Sequence, residues 1–363
     1  MGIVLLGVLA ARGGGLQAAE FSGGLSLDTA YTSNVFLDAS HEWDLVLRPQ
    51  AELGLDFADA WSVGYSGEAS VFAEHPKLFS HFHELYLFYN PAWGEDGENE
   101  FTSEIRVQTL LNTRSFKEIN MLRPAWLNQI QLEPKKWLRL DLSLDASYLW
   151  FFSDSSSNSI DLWARAKFSF QLPSRTSIGP VLRYGLRWLT QPESTTGDVD
   201  RMDQQLAIGL HLGQGLWKGA GLQALGLWLP DLGTSALLSQ KLAQAQFVYL
   251  GEDFLFSGWQ ASIGLRQVFG ASWMIEAGCN FEHRSYSGWP ALDENGATIG
   301  EDRQDTRIAP RFRVQYRWQA EKDGATISDF GVDLEASWML QNSNSVWYDT
   351  DGWVVALSTT LGF

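Results

Sequence analysis

Trp353-Val354-Val355-Ala356-Leu357-Ser358-Thr359-Thr360-Leu361-Gly362-Phe363 ends the sequence. Counting back from Phe363, every second residue falls on one face: Leu361, Thr359, Leu357, Val355 and Trp353. The residues between them are mostly small: Gly362, Thr360, Ser358 and Ala356. A period of two, with one large apolar face and one small face, describes a strand with a greasy side and a wet side.

The same reading extends through the chain from about residue 20, with hardly a helical segment. Leu138, Leu140, Leu142, Leu144, Ala146, Tyr148 and Trp150 take one face. Arg139, Asp141, Ser143, Asp145 and Ser147 take the other. Strands of soluble sandwiches are usually about 5–6 residues. Alternation over a dozen residues instead fits tilted membrane strands of about 9–11 residues with extensions beyond the bilayer.

Strands are expected near 20–33, 43–57, 60–74, 80–91, 99–113, 120–133, 137–152 and 158–172. The second half adds 175–191, 202–213, 217–229, 256–268, 271–287, 302–319, 326–341 and 349–363. Tight connections (Ala58-Asp59, Pro134-Lys135-Lys136, Pro173-Ser174, Gln214-Gly215, Gly270) alternate with longer polar ones at 34–42, 153–157, 192–201, 288–301 and 342–348. Short turns at one end and long loops at the other are the outer-membrane arrangement. The stretch 91–98 is long for its side.

Both termini must lie at one end of such a barrel, so the strand count must be even. The forward count and the backward count from Phe363 agree only if 230–255 holds one loop or a pair of strands. Its stretch Ala236 to Gln246 reads as helix. The expectation is therefore an all-β, antiparallel up-and-down transmembrane barrel of 16 strands, with 18 as the alternative. In it, 230–255 is a long loop or plug.

Composition supports a membrane barrel. The chain has 363 residues, 45% of them hydrophobic, and 17 Trp. No apolar run reaches the roughly 20 residues a spanning helix needs. Trp61, Trp137, Trp217 and Trp273 follow tight turns, and Trp43, Trp150, Trp188 and Trp338 lie near the long loops. Two Trp levels are what two membrane interfaces require.

A net charge of −17 argues against nucleic acid, whose backbone needs a basic surface. It is compatible with divalent-ion bridging to lipopolysaccharide, and equally with plain loop solubility. The single Cys279 permits no internal disulfide and reads as a small packing residue. Residues 1–10 resemble the apolar core of a signal peptide without its basic region, so 1–19 is expected to be a leader and 20–363 the barrel.

The wet face is charged. In 302–319, Ile308, Pro310, Phe312, Val314, Tyr316 and Trp318 point to lipid. Arg303, Asp305, Arg307, Arg311, Arg313, Gln315 and Arg317 then point inward. The neighbouring strands direct Glu276 and Glu282, and Asp329, Asp333 and Glu335, into the same space. Arg139, Asp141, Asp145, Arg165, Lys167, Arg183 and Arg187 line another sector. These charges either pair and hold the wall or form a functional constriction.

No Gly-x-Ser-x-Gly elbow, phosphate-binding loop or His-Glu-x-x-His is present, so the reading is not an enzyme and calls for no cofactor. His81 and His83 share a face with Leu85 and Leu87. Without an evident third ligand they read as interfacial residues rather than a metal site.

The aromatic-terminated last strand resembles the closing strand of bacterial outer-membrane, porin-like barrels. The resemblance implies that Trp353, Val355, Leu357, Leu361 and Phe363 are read by the barrel-assembly machinery. It also implies contact with outer-membrane lipid and lipopolysaccharide.

A second resemblance covers residues 26–90. Asp28-Thr29-Ala30-Tyr31-Thr32-Ser33-Asn34-Val35-Phe36, the strand with Pro49, and Trp61-Ser62-Val63-Gly64-Tyr65 carry it. The pattern is similar to exopolysaccharide-export barrels and to the barrel part of surface lipoprotein assembly modifiers. Those modifiers add a helical-repeat domain for which this chain has no room. The implied function is an outer-membrane channel for polar solutes or an exported polysaccharide, with export components as partners. The alternative is a non-conducting barrel for surface binding or lipoprotein handling.

Overall fold

The computed structural model describes residues 19–35, 41–58, 60–94, 97–112, 117, 120–153, 155, 158–190, 202–232, 256–319 and 329–363. Its elements are β1 (Glu20–Thr32), β2 (Asp44–Ala58), β3 (Trp61–Phe72), β4 (Ser80–Tyr89), the two-residue β5 (Ala92–Trp93), β6 (Asn99–Asn112), β7 (Met121–Lys135), β8 (Leu138–Phe151) and β9 (Ser159–Leu172). They continue with β10 (Thr176–Leu189), β11 (Met202–Gly215), β12 (Ala220–Leu229), β13 (Ser257–Phe269), β14 (Trp273–Leu292), β15 (Thr298–Gln319), β16 (Asp329–Ser343) and β17 (Thr350–Gly362).

Sixteen long strands pair antiparallel with their sequence neighbours. β1 pairs with both β2 and β17, so the sheet closes on itself. β5 only extends the edge of β6 within the long connection at 90–98. The expectation of 16 strands is met and the alternative of 18 is excluded. Of the expected leader at 1–19 and the expected loop or plug at 230–255, residues 1–18 and 233–255 lie outside the described residues.

At the end with the short turns the seam is closed by Phe363, whose N–H donates to the Gly23 carbonyl at 2.9 Å and whose carbonyl accepts from Gly23 at 3.0 Å. A Cβ at position 23 would run into the Phe363 ring, so glycine is what lets the terminal aromatic lie against the first strand.

The outer face is apolar along each strand. On β2 it presents Leu45, Leu47, Pro49, Ala51, Leu53, Leu55 and Phe57, and on β17 Trp353, Val355, Leu357 and Leu361, mostly exposed. Exposed apolar surface on this scale is costly in water and is what a bilayer requires. Trp61, Trp137, Trp217 and Trp273 form one exposed level near the short turns, and Trp43, Trp150, Trp188, Trp338 and Trp353 lie toward the other end. Cys279 shares the outward register of Phe281 rather than packing inside.

Four outward prolines sit inside strands, and each interrupts its ladder on one side without shifting the register. Pairing of β2 with β3 skips from Leu47 to Gln50 around Pro49. The β7–β8 ladder skips Pro124, β9–β10 skips Pro180, and β15–β16 skips Pro310. A proline has no N–H to give, so one rung is lost.

The region 288–301 departs from expectation. It was read as a long polar loop, but β14 continues to Leu292 and β15 begins at Thr298, joined by a turn in which Asp293 accepts from the N–H groups of Asn295 and Ala297. This hairpin extends past the ends of the neighbouring strands. There both faces meet polar surroundings, and the alternation that marks the other strands fades.

Candidate functional site

Inward side chains of β14–β16 form the expected arginine ladder between carboxylates. Arg311 donates to Glu276 at 2.9 Å, and Arg313 is bonded to Asp333, which also accepts from Gln315. Arg307 places Nε and Nη2 on Gln341 Oε1 at 2.9 and 2.7 Å. Arg284 pairs with Glu282 two residues away on its own strand. Arg317 stands opposite Gly331 and Glu335 opposite Ala356, while the Asp329 carboxylate occupies the space a side chain at Gly362 would need.

The second sector is built on β8–β10. Arg139 donates to Asp141 at 2.9 Å, and Arg165 lies 3.3 Å from Asp145. Arg187 grips Asp161 through two bonds of 2.9 and 2.8 Å, and both side chains are buried. Arg183 and Arg165 lie over the Trp163 ring, with guanidinium carbons 5.2 and 5.9 Å from its centroid. Lys167 lines the adjacent cavity. The exposed pairs are worth roughly 0–1 kcal/mol each, so they set the local potential more than the stability.

Sequence reasoning missed the opposite wall. Register places Asp28, Glu52, Asp56, Glu68, Glu84 and Glu104 inward on β1–β6, against Arg48 and Arg106. Arg106 answers two of these carboxylates, Glu104 at 2.7 Å and Glu84 at 3.6 Å. Trp163 was also missed, although it shares the face of Arg165 and Lys167. The parity of β9 places this aromatic inside, beside Arg165 and Arg183.

The lumen differs from end to end. Buried side chains gather toward the end with the longer connections, with Ser169 and Ala220 as exceptions. There Ala207, Leu227, Leu229, Phe256, Tyr286 and Trp289 form one apolar cluster, with Val181, Leu225 and Tyr348 packed against it. Arg303 lies among Tyr286, Trp289 and Tyr348, 4.3, 5.2 and 3.3 Å from their ring centroids, and binds the fully buried Asp305. The half with the short turns holds a cavity of ≈ 810 Å³ along β10–β14. A second cavity of ≈ 430 Å³ lies beside Trp163, Asp145 and Arg165.

His81 and His83 are on the outer face, hydrogen-bonded to each other at 2.9 Å, with His83 also bonded to Tyr65 Oη at 2.7 Å. They satisfy one another as interfacial polar groups. Among the described residues no group of three His, Cys, Asp or Glu side chains is placed to hold a metal ion.

A closed 16-strand antiparallel barrel with an apolar belt and a charged lumen is the outer-membrane porin fold. Three solved structures share it over nearly their whole length. OpdO of Pseudomonas aeruginosa superposes with a TM-score of 0.52 at 10% identity, over 95% of this chain and 97% of that one. OccAB2 of Acinetobacter baumannii gives 0.50 at 10% identity, over 94% and 98%. OccK5 (OpdH) of Pseudomonas aeruginosa gives 0.50 at 9% identity, over 95% and 98%. At such identities the likeness is one of fold. No family model and no curated protein sequence matches the chain.

Proposed function

We propose that the protein is a bacterial outer-membrane channel that passes polar solutes through its lumen, and not an enzyme. The observation that carries this is the wall itself: a predominantly acidic side on β1–β6 faces arginine-rich sectors on β8–β10 and β14–β15. Sixteen strands enclose a lumen wide enough for water. Charges across such a space orient and admit polar solutes and reject apolar ones. Conductance of the refolded protein in planar bilayers tests it. Charge reversal by Arg311→Glu with Arg313→Glu should shift selectivity toward cations. A barrel that carries no current even with its extracellular cluster opened sinks the reading.

Polysaccharide export is the finer reading suggested by the stretch Asp28 to Phe36. Asn34 and Ser33 of that stretch bond to β17 across the seam, so the stretch has a structural use of its own. The packed extracellular cluster favours a second reading, a barrel closed in its resting state that serves surface binding. Absence of current together with loss of surface binding on loop replacement would support it. In either reading the partners are outer-membrane lipid, lipopolysaccharide and the assembly machinery that reads β17, with 1–19 as leader and 230–255 as plug or loop.

A further inference from the structure

The ≈ 810 Å³ cavity has a wall unlike the rest of the lumen. Across β11–β14 the register runs Gly213 to Gln223, Gln223 to Gly264, and Gly264 to Gly278. At Gly213 and Gly264 an added Cβ would meet nothing closer than 3.7 and 4.0 Å, ordinary contact distances. Neither has the left-handed backbone that would demand glycine. Packing and backbone therefore do not explain these two glycines. What they do is set the wall back by the depth of a side chain.

From β12–β14 three uncharged polar side chains point into that recess, Gln223, Ser262 and Asn280, the last two directly paired, while Ser177 of β10, beside Gly213, and Lys167 of β9 line the same cavity. None of the three side chains has a hydrogen-bond partner among the described residues. Gln223 and Asn280 are exposed to the lumen, so their amides can meet a solute there. On the periplasmic side the recess is bounded by the Arg311–Glu276 pair, with Arg266 opposite Glu276. On the extracellular side it is bounded by Val181 and Leu225, which lean on the buried apolar cluster.

Amide and hydroxyl groups both donate and accept, and so does a sugar hydroxyl. An uncharged solute pays no charge-desolvation cost on entering the recess, and its C–H face fits an apolar border. The volume lies within the about 300–1,000 Å³ typical of small-molecule sites. We propose that this recess is a binding subsite for an uncharged, hydroxyl-rich solute of the size of a small sugar, held by Gln223, Ser262 and Asn280. The proposal deepens the channel reading and rests on it.

The test uses the refolded full chain and maltose as probe. In planar bilayers the potassium chloride current should fall saturably as maltose is added. Gly264→Leu, which fills a recess with room for it, should weaken that block by at least about tenfold, a loss of roughly 1.4 kcal/mol, while leaving an open current. Gln223→Leu and Asn280→Leu should each weaken it, and acetate at equal concentration should not reproduce it. A current indifferent to maltose, or a block unchanged in Gly264→Leu, overturns the subsite and leaves the channel standing. If no current flows, calorimetric titration of the detergent-solubilised barrel decides: maltose binding lost in Gly264→Leu keeps the subsite and overturns the channel, and no binding overturns both.

Discussion

Asn34 donates from Nδ2 to Thr350 Oγ1 at 2.8 Å, joining residues 316 positions apart across the seam where the first and last strands meet. Asn34 also reaches the Asp351 carbonyl at 3.1 Å, and Ser33 Oγ accepts from the Trp353 N–H at 2.9 Å. This end of the seam is thus latched by side chains, and the opposite end by the backbone of Phe363 and Gly23. Asn34 is almost wholly buried. Removing its amide leaves buried partners unmet, at a cost of about 1–3 kcal/mol. Asn34→Ala should lower the temperature at which the folded barrel converts to its slow-migrating form in detergent gels, with strand content unchanged at room temperature. An unaltered conversion temperature would show that the latch does not hold the seam.

The loop between β3 and β4 carries a pH-dependent clamp. Asp44 accepts from the N–H groups of Ala73, Glu74 and His75 at 2.8, 3.1 and 3.0 Å, and from His75 Nδ1 at 2.8 Å. His75 Nε2 lies 2.6 Å from Glu42. The bond to Glu42 first, and Asp44 second, hold the imidazole in its charged form and raise its pKa above the ordinary 6.5. A raised pKa means the clamp's contribution is complete below that ordinary value and is lost as pH rises through the folded-state value. Tryptic nicking after Lys77 should therefore be slow in mild acid and faster above neutrality, once trypsin's own pH dependence is divided out on a peptide substrate. In His75→Gln the remaining dependence should flatten. Protection that grows with pH in the parent protein would contradict the assignment.

The fold was legible because alternation is a local property, repeated in each strand. Leu361 and Leu357 face lipid whatever their partner is, and parity alone orients Arg311 and Arg313. Pairing was not legible. Arg303 takes Asp305 and Arg284 takes Glu282, each a residue of its own strand, and Arg307 reaches the uncharged Gln341 as well. Such choices depend on rotamer and burial, which spacing does not encode. The recess at Gly264 was hidden for a related reason. It exists only because Gly213, Gln223, Gly264 and Gly278 come into one row, and that row is set by the turns between four strands.

Arg187 and Asp161 should behave as a unit. Both are nearly fully buried and joined by two bonds, so each answers the other's desolvation. Breaking such a pair by removing one partner costs about 3–5 kcal/mol, while replacing both by apolar groups is often neutral. Arg187→Met should lower the urea midpoint strongly, and so should Asp161→Leu. The double variant should recover most of the loss. Additive losses in the double variant would mean that each side chain acts through other neighbours.

Arg303 offers the means to open the extracellular end. Its guanidinium lies among Tyr286 and Trp289 of β14 and Tyr348 of the turn before β17, and it holds Asp305, which has no exposed surface. One side chain thereby ties the protruding β14–β15 hairpin to the turn over the lumen. Arg303→Ala alone would strand the Asp305 carboxylate, again at about 3–5 kcal/mol. The informative variant is therefore Arg303→Ala with Asp305→Ala, which removes the tie without leaving a lone buried charge. Under the channel reading its single-channel conductance should exceed that of the parent protein, while Tyr348→Ala, which loosens the cage but leaves the ion pair, should fall between the two. Equal conductance in all three would show that the aromatic cluster lies beside the conduction path and does not restrict it.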